Sequence, residues 1–100
     1  MESSANSESN YVLPGNLTLQ HSSKIAILED KPIMLDYWSS SLEKSVIIGV
    51  RDNGEKLLVK SEDEYTSPIS KIYQIDKEYL IITENSIYVV SNSIPTKKIS

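Results

Sequence analysis

Apolar positions are densest over residues 79–91, where two apolar runs flank the polar pair Glu84-Asn85. β-branched and aromatic side chains fill both runs, which predicts two strands joined by a tight turn. With Glu84-Asn85 as the loop, Ile82 lies opposite Ile87, and both faces of the hairpin are apolar. We therefore expect this hairpin to be central and covered on both sides. One face holds Leu80, Ile82, Ile87 and Val89, and the other holds Tyr79, Ile81, Tyr88 and Val90.

A second hairpin is predicted where residues 45–51 and 56–60 flank the polar run 52–55. Asn53-Gly54 supplies two residues that tolerate a positive φ, as a type I′ turn requires. With that pair as the loop, Val50 lies opposite Leu57, and Ile48 lies opposite Val59.

Alternating apolar residues indicate further strands on either side of these hairpins. Residues 16–20 and 24–28 alternate about a three-residue loop, which predicts another hairpin. Residues 33–38 and 69–75 are each predicted to form one strand. A two-residue and a three-residue loop after residue 75 give different registers, and the sequence does not choose between them.

Residues 39–44 are the least strand-like internal segment. Ser40 and Glu43 have the spacing of a capping box, which favours one helical turn, and a plain loop is the alternative.

These segments predict an all-β fold: a small antiparallel meander of seven or eight short strands, curled into a barrel or a two-layer sandwich. No helical pattern of 10–15 residues separates the strands, so a parallel βαβ architecture is not expected. We expect a flexible polar arm over residues 1–12, one β domain over 13–94, and a short basic tail over 95–100.

Composition narrows the classes of function. The 100 residues contain no cysteine and carry a net charge of −4. Disulfides and thiolate chemistry are therefore excluded, and an intracellular, cytoplasmic setting is expected. Duplex nucleic acid is an unfavourable ligand for an acidic chain whose only arginine is Arg51. The N-terminus does not have the pattern of a signal peptide, and no apolar run is long enough to span a membrane.

Chemistry-bearing residues do not form a recognisable active site in this sequence. His21 is the only histidine and lies beside a predicted loop, where an exposed side chain is expected. Residues 52–55 and 62–64 are better interpreted as a hairpin loop and a solvated acidic loop than as cation sites. Asp36 is expected on an exposed strand face. We predict no enzyme activity, catalytic residue, metal, cofactor or obligatory small molecule.

Surface aromatic residues are the remaining candidates for function. Tyr37, Trp38 and Tyr65 fall at predicted strand ends or in loops, and Tyr and Trp are favoured in protein interfaces. The alternative is that Tyr37 and Trp38 complete the core of a domain that contains no Phe.

The leading hypothesis is a non-enzymatic protein-binding or structural domain whose partner is another protein or a second copy. One form of it is an accessory component of a viral particle, because the Ile, Lys, Asn and Ser bias is typical of AT-rich genomes, including those of some bacteria, protists and large DNA viruses. A ligand-binding or hydrolytic domain with a pocket at one barrel end is the first alternative. A single-strand nucleic-acid binder is the second, and it requires Lys24, Lys44, Lys56, Lys60 and Lys71 on one face.

Overall fold

Two helices and seven strands make up residues 12–99, the part of the chain that this computed structural model describes. The helices are α1 (Asn16–Glu29) and α2 (Trp38–Leu42). The strands are β1 (Ile33–Met34), β2 (Ile47–Val50), β3 (Lys56–Val59), β4 (Ile69–Ile75), β5 (Glu78–Thr83), β6 (Ile87–Ser91) and β7 (Thr96–Lys98). Apart from Val12, the predicted N-terminal arm lies outside the described residues.

The central hairpin is confirmed in position and register. β5 and β6 pair antiparallel with Ile82 opposite Ile87 and Tyr79 opposite Val90. They are the two inner strands of a four-stranded sheet in the order β1-β6-β5-β4. The connection from β4 to β5 is the two-residue loop Asp76-Lys77, with Asp76 at a φ of 54°, which fixes the register left open by the sequence.

The second sheet has three strands in the order β3-β2-β7. The described residues are therefore largely β, as predicted, and they contain no closed barrel. The purely antiparallel meander is corrected, because β1 pairs parallel with β6 and β7 pairs parallel with β2. Both parallel pairs join segments that are far apart in sequence, so short-range turn signals could not indicate them.

Two apolar clusters lie on opposite faces of the four-stranded sheet, as the two-faced central hairpin requires. The inter-sheet core lies between the sheets and consists of Tyr37, Val46, Ile48, Leu58, Ile81, Val90 and Ile94. The helix-side core consists of Trp38, Leu80, Ile82, Ile87 and Val89, with Ile25 and Ala26 of α1 packed against it. The molecule thus has three layers: helices, the four-stranded sheet and the three-stranded sheet.

The hairpin of β2 and β3 forms, but its register differs by one residue from the prediction. Ile48 lies opposite Leu58, and Val50 lies opposite Lys56. The reason is a three-residue loop: the Gly54 N–H donates to the Arg51 carbonyl at 2.9 Å, and Gly54 has a φ of 90°. A turn followed by glycine in the left-handed region is the geometry that three-residue hairpin loops use.

The prediction of a hairpin over residues 16–28 is wrong, because this segment forms helix α1. The helix turns Thr18 and Ser22 inward, where both are fully buried, and leaves Leu17, Ile27 and Leu28 exposed. Because two of the inward positions are polar, the apolar residues of this segment do not follow a clear helical period.

Buried hydroxyls on α1 are satisfied locally or by the sheet. The Thr18 hydroxyl donates to the carboxylate of Glu78 at the start of β5, and the Ser22 hydroxyl donates to the Leu19 carbonyl at 2.8 Å. The Gly15 N–H, at the N-terminal end of α1, lies 3.3 Å from both oxygens of the same Glu78 carboxylate. An anion at this end of the helix is stabilised by the helix dipole. Glu78 therefore fastens α1 to the four-stranded sheet.

Two further segments differ from the prediction. The strand expected over 33–38 is reduced to Ile33–Met34, and α2 begins at Trp38. The helical alternative for 39–44 is therefore confirmed, although Tyr37 rather than Ser40 precedes the helix. Where the sequence predicts a tail from residue 95, the structure pairs β7 with β2.

Candidate functional site

Tyr37 and Trp38, which the sequence offers as interaction residues, are core residues in the structure. Their exposed fractions are 4% and 5%. Tyr37 enters the inter-sheet core, and Trp38 enters the helix-side core on the other face of the same sheet. The alternative, in which both complete the core, describes these positions. The Tyr37 side chain therefore does not lie on the surface, as its choice as an interaction residue had assumed.

At the edge of the inter-sheet core, the Tyr37 ring is surrounded by a second aromatic ring and by charged groups. Its ring meets the Tyr88 ring edge to face, with centroids 5.4 Å apart. The Lys60 ammonium lies 4.8 Å from the centre of the Tyr37 ring, donates to the Asp36 carbonyl at 3.1 Å, and lies 3.3 Å from Glu64 Oε2. Burial, and then the charge of Glu64, the nearby Tyr88 and the charge of Asp36, raise the pKa of Tyr37 to about 12. The phenol is therefore held protonated and is not a general base at neutral pH.

We expect this buried phenol to make stability fall at alkaline pH. Its pKa is about 10 in the unfolded chain and about 12 in the fold, so the unfolded chain binds fewer protons between these values. Its contribution is present below pH 10, and the free energy of unfolding falls as pH rises toward 12. Urea unfolding across this range should show a smaller fall in Tyr37→Phe. An equal fall in both proteins would contradict the assignment, and some fall should persist because burial also raises the pKa of Tyr88.

The edge of the Trp38 indole lines a small apolar cleft on the surface, which we call the Trp38 cleft. Its volume is about 280 Å³. The exposed fractions of Val12 and Leu13 are 59% and 73%, and those of Leu35 and Leu42 are 44% and 42%. These four exposed apolar side chains surround one depression. The cleft is lined by Val12, Leu13, Leu35, Trp38, Ser39, Leu42 and Glu43.

Hydrogen bonds from Trp38 and α2 hold this cleft in shape. The Trp38 Nε1–H donates to the Val12 carbonyl at 2.6 Å, which ties the segment before α1 to the ring. The Ser41 hydroxyl donates to the Trp38 carbonyl at 2.6 Å and accepts from the Ser91 N–H at 2.9 Å. Ser41 thereby joins α2 to β6. These bonds join the Val12 wall to α2 and anchor α2 on β6.

Tyr65 remains a surface residue, with an exposed fraction of 52%. It forms a single antiparallel bridge with Val59 beyond the end of β3. Its side chain lines a second depression, the Tyr65 cleft, on the outer face of the three-stranded sheet. This cleft has a volume of about 460 Å³ and is lined by Arg51, Leu57, Val59, Ser61, Glu62, Tyr65 and Ile99.

The residues that were candidates for catalysis on the basis of sequence lie apart from one another in the structure. His21 is exposed on α1, and Asp36 is exposed in the connection before α2. Residues 62–64 form a turn in which the Lys60 N–H donates to the Glu64 carbonyl at 2.9 Å. Within residues 12–99, no group of three or more His, Cys, Asp or Glu side chains is placed to hold a metal ion. The described residues contain no helix of the length and apolar character needed to cross a membrane.

The lysines of the nucleic-acid hypothesis are distributed over several elements. Lys24 lies on α1, Lys56 and Lys60 lie at and just beyond opposite ends of β3, and Lys71 lies on β4. Lys60 is already engaged by Asp36 and Glu64. This distribution provides no support for a continuous basic groove.

Most of the residues that line the Trp38 cleft were not predicted from the sequence. Val12 and Leu13 form the only apolar pair beside the polar N-terminal residues, and this was the available signal. Leu35 and Leu42 carried no signal, because strand alternation does not apply where the chain turns into α2. No protein-family model, curated protein or solved structure gives a significant match to this chain.

Proposed function

We propose that this chain is a non-enzymatic protein-binding domain that takes an apolar segment of a partner protein in the Trp38 cleft. It would act as a small structural or accessory component of a larger assembly, of which a viral particle is one example. The observation that carries the proposal is the gathering of Val12, Leu13, Leu35 and Leu42, all exposed, around one depression. Contiguous exposed apolar surface of this kind is typical of interaction sites.

A rigid floor is the second support for binding at this cleft. Trp38 is packed into the helix-side core and hydrogen-bonded to Val12, so the depression exists before a partner arrives. A preformed site avoids the conformational entropy that a mobile one loses on binding. Burying a fully exposed leucine side chain contributes about 1.5–3 kcal/mol. Leu35 and Leu42 are already more than half covered, so several contacts together have to exceed the cost of association.

Charge at the rim indicates the chemistry of the partner. Among residues 12–99, Glu43 is the only charged residue that lines the cleft, and it is exposed. A basic side chain flanking the apolar segment would complement it. The segment over residues 1–11 is a poor occupant, because it is mostly polar and carries Glu2 and Glu8. The proposed ligand is therefore an apolar segment of another protein with an adjacent Lys or Arg.

Selection from a displayed library of random peptides tests this proposal. The enriched peptides should combine Leu, Ile, Met or Phe with a basic residue, and their binding should change the emission of Trp38, the only tryptophan. Leu42→Asp should weaken binding about tenfold or more. The matched control is Ile27→Asp, an exposed aliphatic residue on α1 outside the cleft, and it should bind like the unmodified chain.

Two outcomes would overturn the proposal. The first is that Leu42→Asp does not weaken the binding of the selected peptides, or that Ile27→Asp weakens it by the same factor. The other is tighter peptide binding after removal of residues 1–11, which would identify that segment as the natural occupant. The proposal predicts unchanged affinity in the shortened chain.

A further inference from the structure

The outer face of the three-stranded sheet is apolar although none of the described elements packs over it. Leu57 and Val59 of β3 lie on this face, and the Ile99 side chain crosses β2 above Gly49. A Cβ atom at Gly49 would lie 2.7 Å from Ile99 Cδ1, so a larger residue here would displace the end of the Ile99 side chain. Tyr65 forms one wall. In the floor of the Tyr65 cleft Leu57 is already buried, so its exposed apolar surface comes from Tyr65 and from the half-buried Val59 and Ile99.

Opposite charges lie at the two ends of this cleft. Arg51 is at the loop end of the hairpin, where its N–H donates to the Glu55 carbonyl at 2.8 Å. Glu62 follows the other end of β3, in the turn after Val59. The length of β3 separates them, about 13 Å for four residues. The lining of the cleft therefore carries a guanidinium at one end and a carboxylate at the other, with Glu55 beside the guanidinium.

Arg51 is available for a partner. Its nearest acidic group within residues 12–99 is Glu55, with 3.7 Å between Arg51 Nη1 and Glu55 Oε1, and both side chains are 42% exposed. An exposed pair at this distance contributes little to stability. The guanidinium can therefore turn its remaining donors toward a carboxylate on another molecule.

We infer that the occupant of the Tyr65 cleft is a second copy of this chain, related by a twofold axis that lies in the plane of the interface and runs at right angles to β3. A twofold interface uses the same patch on both copies, so its two ends must complement each other. Arg51 of each copy would then face Glu62 of the other, while the Tyr65 rings and the exposed edges of Val59 and Ile99 meet between them. This surface is separate from the Trp38 cleft, and the inference does not depend on the proposed function.

The bipolar charge favours a second copy over an unrelated peptide. A surface with one sign of charge would repel its own copy, whereas this one offers two equivalent attractive contacts. The area is small, so a weak dimer that dissociates on dilution is expected. The net charge of −4 on each copy also opposes association, and local complementarity has to exceed it.

Charge reversal provides a specific test by sedimentation velocity over a range of concentrations. The unmodified chain should dimerise, and Arg51→Glu and Glu62→Arg should each weaken self-association about tenfold or more, because like charges then meet at both contacts. An equimolar mixture of the two variants should recover the dimer. In that mixture the Arg51→Glu copy presents a carboxylate at each end of its cleft, and the Glu62→Arg copy presents a guanidinium at each end. Recovery also shows that both variants are folded.

Further variants separate this surface from general effects of charge. Lys71→Glu changes an exposed charge on β4, outside the cleft, and should leave the dimer intact. Tyr65→Ala should weaken it. A chain that stays monomeric at every concentration, or a mixture of variants that fails to associate, would overturn the inference. So would a dimer that neither reversal weakens, because a different face would then form the interface.

Discussion

Trp38→Ala is expected to lower the free energy of unfolding by about 3–5 kcal/mol, the range for removing a large aromatic side chain from a core. The ring lies in the helix-side core against β5 and β6, and its Nε1–H is bonded to the Val12 carbonyl at 2.6 Å. Losing it empties the core beneath α2 and also removes the floor of the Trp38 cleft. Urea unfolding followed by far-ultraviolet circular dichroism measures the effect, since this variant has no tryptophan fluorescence.

Trp38→Phe is the matched variant that separates packing from the hydrogen bond. It keeps an aromatic ring in the core but has no donor for the Val12 carbonyl, so a smaller loss than in Trp38→Ala is expected. The bond itself contributes about 1 kcal/mol. Peptide binding should weaken in both variants, because Val12 is no longer tied to the ring. A Trp38→Ala protein as stable as the unmodified chain would show that the ring does not support the core.

The central hairpin was predictable because one short run of residues contains all the information that specifies it. Every position from Tyr79 to Thr83 is compatible with a strand, and a single polar pair marks the turn. Both apolar faces are used, as the two uninterrupted apolar runs indicated. The β2–β3 hairpin was predictable in position but not in register, since Asp52-Asn53-Gly54 permits both a two-residue loop and a three-residue loop with Gly54 in the left-handed region.

Helix α1 was not predictable from hydrophobic periodicity, because the two most buried side chains of its inner face are polar. Thr18 and Ser22 are buried there, and the partner of Thr18 is the Glu78 carboxylate, 60 residues further along the chain. The alternation of Leu17, Leu19, Ile25 and Ile27 resembled two strands. Contacts with Glu78 and the Ile75 carbonyl satisfy the buried Thr18 hydroxyl, and no local window of sequence contains those contacts.

The candidate sites show the same division between local and long-range information. Tyr65 was identified from residue type alone, and it is exposed. Tyr37 and Trp38 had the same residue types, but the start of α2 directs them into the two cores. Arg51 and Glu62, the charged residues at the ends of the Tyr65 cleft, are 11 positions apart in sequence. They border the same surface because β3 runs between them.

Substituting neighbouring residues of β5 tests whether both faces of the central hairpin are covered. Leu80 and Ile81 are adjacent, fully buried, and directed into the helix-side core and the inter-sheet core respectively. Leu80→Ala and Ile81→Ala should therefore each lower the free energy of unfolding by about 2–5 kcal/mol. A sheet with one open face would show a large loss at only one of them.

Tyr73→Ala is the control for this pair, because Tyr73 lies directly opposite Leu80 on β4 and is exposed. It is expected to cost clearly less than either core substitution in the same urea experiment. The two core variants should also be close to additive in the double variant, because the sheet separates the two cavities. A small effect at Ile81 with a large one at Leu80 would mean that the three-stranded sheet does not cover its face of the hairpin. The three-layer arrangement, with the Tyr65 cleft on its outer surface, would then be wrong.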